Sequence, residues 1–151
     1  MNAGELTDLL AHTGAKAAVE ALDLLQTNAL TLVDQDSRRA TYASKISNED
    51  RIITWASEVG EVHDLIRALD PHIGARTFHP DVEGPVKIWR SAILDRAEVS
   101  SLAGCIDSRC GRMAVYCGKG CLEVLELQIP GGRRLPARDF LLGNTLEGVF
   151  S

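Results

Sequence analysis

The sequence predicts a mainly β protein with flanking helices: a small, OB-like barrel preceded by a long helix and a linker. Three observations support this class. Residues 3–25 have helical apolar spacing, residues 28–50 have no clear periodicity, and short strand-like runs separated by turn residues follow from residue 75 onward. The barrel expected from these runs is partly open.

The first helix is predicted from Ala3 to about Leu25. Asn2 followed by Glu5 is a capping-box-like start, and apolar residues then recur at helical spacing. The segment after it is polar, so no nearby surface matches the apolar stripe. We therefore expect residues 1–27 to belong to a domain that lies upstream, and we expect this helix to promote self-association when that domain is absent.

Residues 28–50 are interpreted as a linker, because a long aperiodic segment is unusual inside one compact domain. Residues 51–151 are then the barrel domain. The predicted elements in it are a strand at Arg51–Trp55, a helix over 57–69, strands at Ala75–Phe78, Val86–Leu94, Leu102–Ile106, Met113–Cys117 and Leu122–Gln128, and a helix from Pro136 to about Leu142.

Composition excludes several classes of protein. The chain has 151 residues, 45% hydrophobic and 25% charged, which is typical of a folded domain and not of a disordered tail. No run of about 20 apolar residues is present, and the first residues lack the pattern of a signal peptide. The sequence therefore favours a cytoplasmic protein without a membrane partner.

The charge is uneven along the chain. The net charge is −5, and residues 1–37 with six acidic and one basic residue account for it, whereas residues 84–151 carry nine basic and seven acidic residues. Any cationic surface is therefore expected in the second half.

Four cysteines, Cys105, Cys110, Cys117 and Cys121, fall within 17 residues. Their spacing is close to that of zinc sites but matches no common zinc knuckle. Free thiols on a strand pair are favoured, and we predict no metal ligands; a metal site or a disulfide stays open as the alternative.

Four groups of residues, in order, resemble the carboxy-terminal part of the methionyl-tRNA formyltransferase family. They are Gly4-Glu5-Leu6 through Gly14-Ala15; Ala40-Thr41-Tyr42-Ala43-Ser44-Lys45-Ile46; Trp55 with Ile66-Arg67-Ala68-Leu69, Pro71-His72-Ile73-Gly74-Ala75 and Val86-Lys87-Ile88; and Leu125-Glu126-Leu127-Gln128 with Pro130-Gly131-Gly132-Arg133-Arg134 and Ala137-Arg138-Asp139-Phe140. Thr54 and Ile73 depart from the family pattern, which has an acid and a proline there.

The resemblance implies that the catalytic half is absent. The family's Asn-x-His pair and catalytic aspartate have no counterpart in these residues, so no catalytic residue and no cofactor-binding residue is predicted. The formyl donor, 10-formyltetrahydrofolate, is implied for the whole family only. His12, His63, His72 and His79 are expected to be surface or packing residues.

The resemblance also implies a partner, initiator methionyl-tRNA. Arg133 and Arg134 are the leading candidates for RNA contact, because they follow a Gly-Gly turn. Lys45, Arg38 and Arg39 in the linker and Lys87 on a strand are further candidates. Trp55 and Trp89 are expected to pack in the core or at its rim, and Arg67 is near enough to Asp64 and Asp70 in sequence for an ion pair.

Two other interpretations stay open. The chain is alternatively the supporting domain of another formyltetrahydrofolate-dependent transferase or hydrolase that acts on a small molecule. The second is a free-standing interaction domain with a regulatory or zinc-binding role.

Overall fold

The computed structural model describes residues 1–95 and 102–151, with the side chain of Cys110 also left out. The predicted strand at 102–106 therefore lies only just inside the described part. These described residues form three α-helices and seven β-strands. They are α1 (Ala3–Gln26), α2 (Val59–Leu69), β1 (Ala75–His79), β2 (Val82–Leu94), β3 (Cys105–Asp107), β4 (Met113–Tyr116), β5 (Cys121–Gln128), β6 (Leu135–Pro136), α3 (Ala137–Phe140) and β7 (Gly148–Val149).

The strands form one antiparallel sheet in the order β1-β2-β5-β4-β3-β7, with β6 also paired to β5. The two ends of this order meet at one point. Phe78 and Ser151 exchange both backbone hydrogen bonds, at 3.0 Å each, which joins β1 to the residues after β7. The predicted mainly β, barrel-like fold is confirmed.

The core lies inside the curved sheet and under α2. Ile66 and Val62 of α2 pack against the inward residues of β2 and β5, among them Ile88 and Leu127. Trp55 is 4% exposed, donates to the Thr77 hydroxyl and stacks on Phe150 at 5.8 Å between ring centroids. The expected core position of Trp55 is confirmed.

Helix α1 begins at the predicted capping box, in which Asn2 and Glu5 satisfy each other's backbone N–H groups. Only its first turn meets the rest of the described chain: the Gly4 N–H donates to the Asp70 carbonyl at 3.2 Å. None of its residues is buried, and Leu9, Leu10 and Leu22 are more than half exposed. No helix of the described residues is long and apolar enough to cross a membrane.

Several predicted elements differ in detail. The strand expected at Arg51–Trp55 was wrong: Glu49–Arg51 is a 3₁₀ turn, and the chain then makes a single bridge from Ile52 to Arg76. The segment does not continue pairing along β1, because residues 54–57 form a turn in which the Ser57 N–H donates to the Thr54 carbonyl. Strand β3 begins at Cys105 instead of Leu102, and α3 is one turn long. Strands β6 and β7 were not predicted, because two residues are too few for a period-2 pattern.

The hairpin tip between β4 and β5 touches the loop before α2. The Gly118 N–H donates to the carbonyls of Trp55 and Ser57, and a Cβ at Gly118 would lie 1.9 Å from the Ala56 carbonyl oxygen. A side chain here therefore collides with backbone that cannot rotate away.

We predict that Gly118→Ala lowers the free energy of unfolding by about 2–3 kcal/mol, through this overpacking and the loss of the two hydrogen bonds. Urea denaturation measures the change. Gly60→Ala is the control, because a Cβ at Gly60 meets nothing within 4 Å. It should leave stability unchanged or slightly higher; equal losses in both variants would contradict the proposed collision.

Candidate nucleic-acid interface

The outer face of β1, β2 and β5 carries a row of polar side chains. Val86 and Ile88 are fully buried, so the intervening Lys87 points to the outer face, as predicted. Arg76 of β1 lies directly across from Lys87, and Gln128 of β5 lies directly across on its other side. These three side chains form a row across three adjacent strands.

Trp89 lies beside this row, at an irregularity where the register between β2 and β5 shifts. The Lys87 ammonium is 5.3 Å and the Arg134 guanidinium carbon 4.9 Å from its ring centroid, which is the range of cation–π contacts. Its indole N–H donates to the Gln128 side chain at 3.2 Å. Gly74, at φ +77°, leaves room for the ring, since a Cβ there would lie 3.1 Å from it. Trp89 is 8% exposed and thus covered, not open for base stacking.

Arg134 is bound within the protein. Its guanidinium donates to the Asp70 carboxylate at 2.9 Å and forms a short contact with Glu126. Asp70 is only 3% exposed and also accepts from the Asn2 side chain at 2.6 Å. Because Arg134 neutralises a buried carboxylate and covers Trp89, the structure gives it a structural role beside the RNA contact predicted from sequence.

Arg133 is arranged differently. It is exposed, and no carboxylate in residues 1–95 or 102–151 lies within ion-pair distance of it. The turn before it is fixed, because the Gln128 side chain donates to the Gly132 carbonyl at 2.8 Å and Gly131 adopts φ +71°. Gln128 thus connects the Arg133 turn to the row that contains Lys87.

The cations predicted in the linker are Arg38, Arg39 and Lys45, and they belong to a different part of the chain from this sheet face. Residues 27–50 are exposed throughout. Arg38 is paired with Asp36 at 3.1 Å, whereas Arg39 and Lys45 have no ion pair with any described residue. Within the described ranges, no hydrogen bond or ion pair connects these side chains to the outer face of the sheet.

Arg51 and Arg76 were not predicted as site residues. In the described part of the chain each has a buried Nε without a hydrogen-bond acceptor. The alternation of apolar and polar residues in Ala75–His79 could have predicted that Arg76 points to the outer face. The residues on either side of Arg76 are buried. No sequence pattern predicts the position of Arg51, because that position depends on the bridge between Ile52 and Arg76 of β1.

The histidines contribute no complete proton-transfer site. The His63 ring lies 2.9 Å from the Ser91 hydroxyl, and burial, together with the nearby charge of Arg67, lowers its pKa. Its other ring nitrogen has no hydrogen-bond partner among the residues described, so nothing orients the ring as in a catalytic triad. His79 is buried and bonds to the Glu147 carbonyl at 2.9 Å, which confirms the expected packing role.

Cys105 and Cys117 are free thiols. Burial raises the pKa of Cys117 to about 11, and a charge on Cys121 would raise it in the same direction. A thiol with this pKa is protonated and unreactive at neutral pH. Over residues 1–95 and 102–151, no group of three or more His, Cys, Asp or Glu side chains is arranged to hold a metal ion.

Comparison with known proteins agrees with this architecture. HypX from Aquifex aeolicus superimposes with a TM-score of 0.64 over 87% of this chain and 24% of that protein, at 14% sequence identity, which shows a shared fold. A second HypX structure, in complex with tetrahydrofolic acid, gives a TM-score of 0.62 over 83% of this chain and 22% of that protein, at 15% identity.

Sequence relatives are closer. A methionyl-tRNA formyltransferase of Rubrobacter xylanophilus is 51% identical over 149 residues, 99% of this chain and 49% of that protein. One of Syntrophomonas wolfei is 39% identical over 97% of this chain and 46% of that protein. The chain thus spans about half the length of these relatives. The family model for the formyl transferase C-terminal domain matches residues 45–145, and the chain therefore belongs to that family.

Proposed function

We propose that this chain is the tRNA-binding C-terminal module of a methionyl-tRNA formyltransferase. The observation that supports it most directly is a set of cations on and beside one sheet face, Lys87 and Arg133 among them, that form no ion pair with any described residue. The relatives of this chain carry that name. Phosphate and 2′-hydroxyl contacts from such side chains recognise a folded RNA by shape.

In this proposal the reaction occurs elsewhere. The formyl group passes from 10-formyltetrahydrofolate to the amine of methionyl-initiator tRNA in a catalytic half outside these residues. Residues 1–27 are the final helix of that half, 28–50 are the linker, and 51–151 bind the RNA. The protein acts in the cytoplasm. The exposed apolar stripe of α1 supports this division, since such a stripe requires a partner surface.

We expect tRNA to bind with steep salt dependence, the affinity falling at least about tenfold between 50 and 200 mM salt. Arg133→Ala and Lys87→Ala should each weaken binding and reduce the slope of log K against log salt by about 1. Titration of labelled initiator tRNA measures both. Arg138→Ala is the control, because Arg138 is also exposed but is paired with Asp139 at 3.3 Å. Absence of binding at low salt would instead favour a supporting domain for a small-molecule enzyme.

Arg134 should behave as a structural residue. Arg134→Ala leaves the buried Asp70 carboxylate without its cation, and we expect a loss of about 2–3 kcal/mol in the free energy of unfolding. Arg133→Ala should change it by less than about 0.5 kcal/mol, as is usual for an exposed, unpaired side chain. Urea denaturation of the two variants makes the comparison. Equal stability of both variants would show that the Asp70 contact contributes nothing.

Amide exchange tests the division of the chain. We expect fast exchange across residues 8–26 of α1 and slow exchange in β2 and β5, because exposed helical hydrogen bonds open locally. Mass spectrometry of peptides from the exchanged protein measures this. Uniform protection in a monomer would argue against a missing partner, and protection that appears only at high protein concentration would indicate self-association through α1.

A further inference from the structure

A tryptophan and a glutamine connect the two cations that are proposed to contact RNA, Lys87 and Arg133. The Gln128 side chain accepts a hydrogen bond from the Trp89 indole N–H at 3.2 Å and donates one to the Gly132 carbonyl at 2.8 Å. An indole N–H can only donate and a backbone carbonyl can only accept. The two partners therefore fix the orientation of the amide, and both of its contacts depend on that orientation.

The backbone on both sides of Arg133 is held in place. Before it, the Gly132 N–H donates to the Ile129 carbonyl at 3.0 Å, and Gly131 adopts φ +71°, as the third residue of a type II turn does. After it, the Arg134 guanidinium binds a buried carboxylate. The Arg133 side chain itself is exposed. Its backbone is thus fixed while its guanidinium group is open to an external ligand.

Lys87 is restrained by the same tryptophan. Its ammonium lies 5.3 Å from the centroid of the Trp89 ring. A Cβ on Gly74 would lie 3.1 Å from this ring and 3.2 Å from the Lys87 Cδ, so the lysine stem passes close to both. A stem that packs against apolar surface keeps its charged end in water but has fewer rotamers open to it. The ammonium of Lys87 is therefore held near one position.

The sheet sets the separation between the two cations. Lys87 and Gln128 lie directly across from each other on β2 and β5, which places their Cα atoms about 5 Å apart. Gln128 in turn holds the turn before Arg133. Ordering flexible side chains and loops is one of the costs of binding, and a surface that is ordered beforehand avoids part of that cost.

We infer that Trp89 and Gln128 are positioning residues for RNA binding, which hold Lys87 and the Arg133 turn at a set separation before the RNA arrives. Both cations then meet phosphates of one folded RNA, whose positions are also set. Trp89 is buried and acts through Lys87 and Gln128, not by stacking on a base. This inference rests on the proposed tRNA-binding function.

The test compares Gln128→Met with Arg133→Ala, with Lys87→Ala and with the two double variants that add Gln128→Met to each. Methionine is uncharged, is similar to glutamine in length and makes neither hydrogen bond. Gln26→Met is the control, because it is the same exchange at an exposed position of α1. Labelled initiator tRNA is titrated against each variant at several salt concentrations, and urea denaturation checks that each variant is folded.

We expect Gln128→Met to weaken tRNA binding about fivefold, because the RNA must then order the turn itself. The exchange removes no charge, yet the slope of log K against log salt should fall toward that of Arg133→Ala, since a phosphate contact is weakened. Adding Arg133→Ala should weaken binding little further, whereas adding Lys87→Ala should multiply the two losses. Gln26→Met should bind as the unmodified chain does.

Trp89→Phe is an independent variant for the same test. Phenylalanine keeps an aromatic face for Lys87 but has no N–H for Gln128. Its loss of affinity should also shrink when Arg133→Ala is already present, which gives a second cycle if Gln128→Met does not fold. In NMR spectra, the amide signals of Gly131 and Gly132 should shift in both variants and stay unchanged in the α1 control.

The results separate this inference from the proposed function. If Gln128→Met binds tRNA as tightly as the unmodified chain while Arg133→Ala binds more weakly, the positioning role is wrong and the tRNA-binding function stands. Losses that multiply when these two changes are combined would show that Gln128 does not act through Arg133, which also overturns the inference. If the unmodified chain does not bind tRNA at low salt, both the function and the positioning role are wrong.

Discussion

The two carboxylate oxygens of Asp70 accept hydrogen bonds from distant parts of the chain. One binds Arg134 at 2.9 Å and the other binds Asn2, the N-cap of α1, at 2.6 Å, while the Asp70 carbonyl receives the Gly4 N–H. A buried carboxylate is costly unless each oxygen is satisfied. Its position after α2 therefore fixes the start of α1 and the turn that follows β5, and through Arg134 it keeps Trp89 covered.

This constraint divides the cations into two groups. Arg134 stabilises the fold, and moving it to an external phosphate would leave Asp70 charged and buried without its cation. Arg133, the preceding residue, forms no ion pair with any described residue. Lys87 also forms no ion pair with any described residue, and it lies on the sheet face that Gln128 connects to the Arg133 turn. The cation that stabilises the fold and the cations that we propose to contact RNA are thus different, in one case adjacent, residues.

Local patterns in the sequence predicted the elements that depend on local chemistry. The capping box located the start of α1, and alternation around Val86 and Ile88 showed that Lys87 faces outward. The role of Arg134 depends on Asp70, which is 64 residues away, and no local pattern reveals such a partner. The same reason hid Arg51, whose surroundings come from β1. Strands β6 and β7 escaped prediction because two residues carry no period.

The backbone exchange between Phe78 and Ser151 has a kinetic consequence. Strand β1 emerges from the ribosome roughly 70 residues before the segment that covers its free edge, and a pairing of such high sequence separation forms late in folding. Until then the open edge of β1 can pair with other chains. The positive charge that Arg76 carries on this strand discourages strand addition by a neighbouring nascent chain.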